Sequence, residues 1–354
     1  MSSTHKFYSL PEPSARKGFS SLSLEEGPVP KPEANEVLIK VHAVSLNYRD
    51  LIISMGQYPL HLKQGELIPA SDGAGEVVSV GSKVSKWKQG DRVMGIFTQA
   101  HQSGSTPDKE EVKTALGGSI DGMLAQYVAL PETGVVRVPS HLSYEEAATL
   151  PCAAVTAYNA FYGIPTEQLR AGDTVVAQGT GGVSVFALQL AAAAGAKVVI
   201  TSSSDDKLQK AVGLIPQNLR HLITTVNYKT NPDWDKVVLD VTKGKGADHV
   251  VEVGGAGTLE KSFNAIKRGG VISTIGFVAQ GEAPNVAYHA LATGAYFKGI
   301  LVGSREQFEH MNQIIEDHQI KPLVDKVFPF EKAEEAYNYQ WSQAHVGKVV
   351  ISVS

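Results

Sequence analysis

The sequence predicts an α/β protein, with a partly open β-barrel ahead of a doubly wound parallel sheet. Three observations carry that prediction. Asp173–Ser204 reads as strand, glycine turn, helix and strand. From Asp205 to Phe277 helical and strand patterns go on alternating, as an open sheet with helices on both faces requires. Before Leu130 the chain holds short strand-like runs bounded by Gly and Pro, the pattern of a small barrel.

The central stretch is DTVVAQGTGGVSVFALQLAAAAGAKVVITSSS. Thr174–Gln178 is a short β-branched run suited to a buried parallel strand. Gly179, Gly181 and Gly182 make a tight turn. Val183–Ala194 is apolar nearly all round, so it predicts a covered helix, stopped by Gly195. Lys197–Thr201 is a second buried strand. Such a unit can bring bare backbone N–H groups at Gly179, Thr180, Gly181, Gly182 and Val183 to the pyrophosphate of a dinucleotide, at the positive end of the helix. Ser184 stands where the third glycine of G-x-G-x-x-G belongs, and its small size still allows close packing. A tight turn without a ligand is the bland alternative, and the flanking strands argue against it.

The end of the second strand speaks to the choice of cofactor. An NAD site usually places an acid there for the ribose 2′-hydroxyl. Here Ser202, Ser203 and Ser204 precede Asp205, Asp206 and Lys207. Serine hydroxyls can donate to a 2′-phosphate and Lys207 can neutralise part of its charge, so NADP(H) is expected. Ser204 can at the same time cap a helix that starts at Asp205.

The 354 residues suffice for two domains, and 43% of them are apolar. A net charge of −4 predicts no nucleic-acid partner. The single cysteine, Cys152, excludes intrachain disulfides and cysteine-based zinc clusters. No apolar run reaches the length of a membrane span, and the first thirty residues lack a signal-like apolar core. A cytoplasmic location is the expectation.

In order, Lys6–Ser9 and Leu22–Leu24 are strand-like, and Glu36–Leu46 alternates as a half-buried strand ending at Asn47. Leu51–Met55 predicts a short helix closed by Gly56. Ile68–Val80, Val84–Met94 and Met123–Leu130 predict further barrel strands. Residues 98–119 read as a polar surface excursion with a helix near Pro107–Ala115. Tyr144–Tyr162 predicts helix in two pieces around Pro151. After Ser204, helices are expected at Asp205–Leu214, Pro232–Thr242 and Thr258–Ala265, and strands at Leu222–Thr225, Asp248–Val253 and Gly270–Phe277. Phe297–Gly303 predicts an edge strand, Glu306–His318 a helix and Lys348–Val353 a closing strand.

The motifs VSLNYRD (44–50), PASDGAGEVVSVG (69–81), GDRV (90–93), GDTVVAQGTGGVSVFALQLA (172–191) and GKVVI (347–351), in this order, resemble the medium-chain dehydrogenase/reductase superfamily over nearly the whole chain. SSSDDKL, VNY at 226–228 and VGSREQF at 302–308 look closest to its NAD(P)-dependent alcohol dehydrogenase-like or quinone oxidoreductase-like branch. The resemblance implies a GroES-like catalytic domain from residues 1–153 plus 302–354. It implies a Rossmann NADP-binding domain at 154–301, and a homodimer joined near Phe297–Val302. Zinc enzymes of the superfamily hold the metal with Cys, His and Cys. The matching positions here are Asn47, Ser71 and Cys152, and the eleven histidines form no H-x-H or H-E-x-x-H, so no metal is expected. Cys152 is then a small packed residue.

Zinc-less relatives mostly reduce activated double bonds. The resemblance therefore implies NADPH-dependent hydride transfer to a quinone or an α,β-unsaturated carbonyl, with donors at the developing oxyanion. It matches Asn47 to an asparagine at the strand end whose amide can donate to substrate oxygen, Tyr58 to an active-site tyrosine and Thr156 to a threonine near the nicotinamide. The alternatives are a loop asparagine bonding backbone, half-buried packing beside Pro59, and a helical threonine bonding back to a carbonyl. A second tyrosine of those relatives is replaced by Ile52. Tyr228 matches a neighbour of the 2′-phosphate. Lys348 matches a basic residue that reaches the pyrophosphate, with a surface lysine as the alternative. Gly276-Phe277-Val278 and Val302-Gly303-Ser304 match segments bracketing the nicotinamide. Arg49 and Asp50 are expected to pair or to brace the loop. Two other functions stay open: a metal-free alcohol dehydrogenase or carbonyl reductase, and a cofactor-binding sensor or structural protein with little turnover.

Overall fold

The computed structural model describes residues 3–276 and 281–353. Phe277 and Val278 lie outside the described residues. Contacts divide the chain into two units: Met1–Val155 with Gly303–Ser354, and Thr156–Val302.

The first unit begins with β1 (Thr4–Ser9) and β2 (Ser23–Pro28), an antiparallel pair. Then come β3 (Glu36–Ser45), α1 (Tyr48–Ser54), β4 (Asp72–Val80), β5 (Arg92–Gly95), β6 (Tyr127–Pro131), β7 (Val135–Arg137) and α2 (Tyr144–Ala147). A π-helical stretch at Leu150–Ala154 contains Pro151 and runs into α3 (Val155–Tyr162). The two expected pieces are present: α2 ends at Ala147, a turn follows at 148–149, and Pro151 lies in the widened first turn of the second piece, where its missing N–H costs least.

The second unit continues with β8 (Thr174–Ala177), α4 (Gly182–Ala193), β9 (Lys197–Ser202), α5 (Asp205–Gly213) and β10 (Ile223–Asn227). It goes on with α6 (Trp234–Val241), β11 (Ala247–Glu252), α7 (Leu259–Ala265), β12 (Ile266–Thr274), α8 (Val286–Thr293) and β13 (Tyr296–Gly299). Its strands form one sheet in the order β10-β9-β8-β11-β12-β13, with every pairing parallel. The order reverses between β8 and β11, the crevice where such sheets bind ligands. β8 and α4 are almost wholly buried, which explains their unbroken apolar sequence.

The chain then returns to the first unit with α9 (Arg305–Asp317), β14 (Val324–Pro329), α10 (Ala333–Trp341) and β15 (Lys348–Ser352). The barrel sheet runs β14-β15-β3-β4-β5-β7, and β6 also pairs with β3. β3 and β4 approach closely at Gly75, where a Cβ would run into the Lys40 carbonyl. Val37, Ile39, Val41, Leu51, Tyr337 and Val349 share the core beneath them.

Residues 98–119 correct an expectation. They hold a short 3-10 turn at Glu111–Thr114 in place of a longer helix. Thr98, Gln99, His101, Ala115 and Leu116 are buried, so the stretch is not simply a surface excursion. Its polar side chains find partners inside: Gln99 donates to the carbonyls of Ile96 and Gly134. The edge strand expected at Phe297–Gly303 covers only β13, because the chain turns away and Val302 takes a φ of 56°.

Candidate active site

In the first unit, β3 ends just before Asn47, which caps α1. Asp50 Oδ2 accepts the Asn47 backbone N–H at 2.8 Å. β15 lies antiparallel beside β3 and brings its first residue, Lys348, to this corner. Lys348 is only 3% exposed, so the surface-lysine alternative is corrected. Its Nζ donates to Leu46 O at 2.6 Å and to Asn47 Oδ1 at 2.5 Å. The Asn47 oxygen is therefore occupied. One N–H of the buried Asn47 Nδ2 group is directed at the Asp72 carboxylate, which it helps to hold ionised, and the group carries a second N–H.

Asp72 opens β4 and is fully buried. Its Oδ1 accepts from Ser71 Oγ at 2.6 Å and its Oδ2 from the Cys152 N–H at 3.0 Å. Burial raises its pKa, while Lys348, Ser71, Asn47 and Cys152 pull it back in part. Burial likewise pushes Asp50 up to about 6, against the charge of Arg49. Burial and the Asp72 carboxylate push the Cys152 thiol far up. It therefore stays protonated at neutral pH, as a packed residue does and a nucleophile does not.

Arg49 pairs and braces at once. Its Nη1 lies 3.6 Å from Asp50 Oδ1 and donates to Leu116 O at 2.9 Å. The guanidinium sits 4.5 Å from the Phe97 ring centroid and 5.1 Å from that of Tyr58. Arg49 Nε donates to the Tyr58 hydroxyl at 3.5 Å. This fixes Tyr58 as acceptor on one side and leaves its O–H proton unspent. The Tyr58 ring also packs, half-buried, against Leu10, Ile53 and Leu67. Ile52 is buried in α1.

These residues do not fit a zinc ion. Asn47 and Ser71 are neutral, Cys152 is left as one thiol without thiolate or imidazole companions, and Lys348 already brings positive charge to the Asn47 oxygen. Zinc needs three good protein ligands, thiolate or imidazole for preference. Among the described residues, no three His, Cys, Asp or Glu side chains are grouped to hold a metal ion.

In the second unit, Gly179 turns the chain at a φ of 77°. At Gly181 the backbone is ordinary, yet a Cβ would meet nothing within 4 Å. The turn is thus open on the side where a ligand would lie, and Gly182 and half-buried Val183 start α4 with no side-chain cap. Ser184 Oγ donates to Gln178 O at 2.5 Å, so the residue in the third glycine's place pins the turn. The Thr180 and Ser202 hydroxyls are 3.4 Å apart. The Tyr228 N–H donates to Ser202 O at 2.9 Å. Thr180, Ser202 and Tyr228 therefore gather at one end of the sheet, with Ser203 half-buried beside them. Ser204 caps α5 by accepting from the Lys207 N–H, as expected. These features fit a dinucleotide: a helix start with no side-chain cap, hydroxyls and an open glycine turn.

The remaining positions are placed as follows. Thr156 is buried in α3. Gly276 faces the Val253 carbonyl so closely that a Cβ would collide with it. The Val302 carbonyl accepts from Asn159 Nδ2 at 2.8 Å. Ser304 belongs to the first unit and caps α9, accepting from the Gln307 N–H.

Glu252 escapes the sequence reading. It is fully buried at the end of β11. Its Oε1 accepts from Gly254 N at 2.8 Å, Gly255 N at 2.9 Å and Thr258 Oγ1 at 2.5 Å. Its Oε2 accepts from Gln178 Nε2 at 2.7 Å and from Ser262 Oγ. An acid at a strand end followed by two glycines was the only signal.

A parallel sheet with an open glycine turn in one unit and a barrel with buried polar groups in the other are the parts of a nicotinamide-dependent oxidoreductase, and the comparisons with known proteins agree. Residues 33–140 match the alcohol dehydrogenase GroES-like domain and residues 182–317 the zinc-binding dehydrogenase family. A zinc-type alcohol dehydrogenase-like protein of Schizosaccharomyces pombe is 48% identical, over 95% of this chain and 96% of its own. A 2-methylene-furan-3-one reductase of Solanum lycopersicum is 30% identical, over 91% and 73%. The crystal structure of a Sinorhizobium meliloti chain assigned to the alcohol dehydrogenases superposes with a TM-score of 0.88 at 35% identity, covering 100% of both. The chain belongs to the medium-chain dehydrogenase/reductase superfamily.

Proposed function

We propose that the chain is a zinc-independent, NADPH-dependent reductase of quinones or α,β-unsaturated carbonyls. The observation that carries this reading is the Lys348–Asn47 contact: an ammonium and a neutral amide occupy the corner where a metal ligand would be needed. Among the relatives, the name 2-methylene-furan-3-one reductase describes an enone substrate.

Bound NADPH would supply the hydride. Gly179, Thr180, Gly181, Gly182 and Val183 are proposed to hold its pyrophosphate. Ser202, Ser203, Lys207 and Tyr228 are proposed around its 2′-phosphate. Thr156, Gly276, Val302 and Ser304 are proposed for its nicotinamide end, with Phe277 and Val278 as further candidates from the sequence. On the acceptor, negative charge develops on oxygen as the carbon takes hydride. The Asn47 Nδ2 group would donate to that oxygen, and the unspent Tyr58 proton would be available to it.

Two further parts of the reading concern assembly and place. β13 is the sheet edge, and it carries the exposed rings of Tyr296 and Phe297. An exposed apolar edge needs cover, which a second copy would give. A cytoplasmic location completes the proposal.

The test follows NADPH absorbance with chelator-treated protein against a quinone, an enone, an enal and a saturated ketone, with NADH in parallel. Turnover of the conjugated acceptors that survives chelation and favours NADPH supports the proposal. Turnover of the saturated ketone alone selects a metal-free alcohol dehydrogenase. Loss of turnover on chelation refutes zinc independence, and binding without turnover selects the sensor.

A further inference from the structure

We infer that Lys348 is a positioning residue, whose Nζ locks the Asn47 side chain so that the amide nitrogen is the atom left to face substrate oxygen. The inference rests on the proposed role of Asn47 as substrate donor.

An asparagine amide has an acceptor end and a donor end, and a flip about its last torsion exchanges them. A developing oxyanion needs the donor end. An ammonium carries three donors and no acceptor. Placed 2.5 Å from the Asn47 side chain, Lys348 Nζ can face only the oxygen. The flipped amide would set two donors head to head in a buried corner, where an unmade bond costs most. Asp72 acts from the other side with the same sense, because its carboxylate and the Nδ2 group favour one another.

Lys348 is itself held. The Leu46 carbonyl takes a second of its N–H groups at 2.6 Å. Its charge is matched by the buried carboxylates of Asp72 and Asp50, both of which it draws towards ionisation. The pairing of β15 with β3 fixes its backbone. The lock is therefore built from strand register, charge balance and hydrogen bonds together. A cation on the amide oxygen also polarises the amide, which strengthens Nδ2 as a donor. Two of its three N–H groups are spent inside this corner.

The experiment compares Lys348→Met, Asn47→Ala and the double variant, by steady-state kinetics with one conjugated acceptor and by direct titration of NADPH. Lys348→Met should lower kcat about 10- to 100-fold, less than the roughly 100- to 1,000-fold for losing an aimed donor outright, because the amide stays in place. NADPH Kd should stay within about twofold, and the double variant should be no slower than Asn47→Ala, because the lysine acts through the asparagine. Lys348→Arg should restore part of kcat. A rise of about tenfold or more in NADPH Kd with kcat unchanged would overturn the inference in favour of a phosphate contact. Additive losses in the double variant would also overturn it. A wild-type kcat in Asn47→Ala would instead refute the reading of Asn47, which distinguishes the two failures. If Lys348→Met does not fold, the charge-balanced pair Asp72→Asn with Lys348→Met takes its place. The same loss of kcat supports the inference, and a wild-type kcat refutes it.

Discussion

Ser202 and Tyr228 are joined backbone to backbone: the Tyr228 N–H donates to the Ser202 carbonyl at 2.9 Å, so the tyrosine ring starts beside the end of β9. Tyr228 is 42% exposed, which leaves its ring free to meet a ligand. Under the proposed NADPH preference, an acid next to this pair would repel a 2′-phosphate. At a surface-like dielectric the repulsion is about 1–3 kcal/mol. Ser203→Asp should therefore raise the NADPH Kd about 10- to 100-fold and leave NADH nearly unchanged. Parallel titrations with the two cofactors check this, and an equal loss for both would refute it.

Two glycines separate folding from binding. Gly181→Ala places a methyl in open space at an ordinary backbone angle, so stability should change by less than about 0.5 kcal/mol. The same methyl would stand where the pyrophosphate is proposed, and the NADPH Kd should rise about tenfold or more. Gly75→Ala should do the opposite damage, since its methyl strikes the Lys40 carbonyl between β3 and β4. Urea unfolding and cofactor titration of both proteins give the comparison.

Glu252 ties the ends of β8 and β11 together through Gln178. Glu252→Ala would leave the Gly255 N–H without its acceptor and would take from the Gly254 N–H, Thr258 and Ser262 their shortest one. The expected cost is about 2–4 kcal/mol. Glu252→Gln keeps the shape and one good acceptor and should cost less. A smaller loss for alanine than for glutamine, by denaturant titration, would refute this account.

Acid should act on the two units in opposite senses. Burial lowers His249, in the second unit, to about 4. Its unfolded form binds a proton below about 6.5, so that unit should lose stability as pH falls from 6.5 to 4. Burial raises Asp50, in the first unit, to about 6. There the folded form binds the proton first, so stability is gained as pH falls through 6 and is complete below the unfolded value near 3.8. Each shift is worth about 3 kcal/mol at most. Hydrogen exchange at pH 7 and pH 4.5 should show β8 and β11 weakening relative to β3 and β4. His249→Phe should remove the change in β8 and β11, and no change in wild type would count against both shifts.

The sheet of the second unit was legible because its strands and helices bury uniform apolar runs, as in Val183–Ala194, and glycines mark the turns. The candidate site was legible less evenly. Asn47 and the Gly179–Gly182 turn stand out as local motifs. Lys348 does not, because a lysine opening a strand gives no local sign of burial. Its partner lies 301 residues away in sequence. β7, β14 and α10 were missed for related reasons. β7 is three residues long, β14 is half-exposed, and α10 mixes apolar and charged residues. Residues 98–119 misled because several of their polar side chains are buried and bonded inside, as Gln99 and His101 are, which composition does not reveal.

The union of β3 with β15 bears on how the protein comes into being on the ribosome. The segment Thr156–Val302 is continuous, so its sheet can assemble as soon as it has emerged. The first unit must wait, because β3 faces an open place in its ladder until residues 348–352 arrive. For most of synthesis the end of an apolar strand, Ala43, Val44 and Ser45, has one side uncovered, a natural client for a holding chaperone. Slow or stalled translation over the last segment should therefore threaten solubility more than the same delay within the central one.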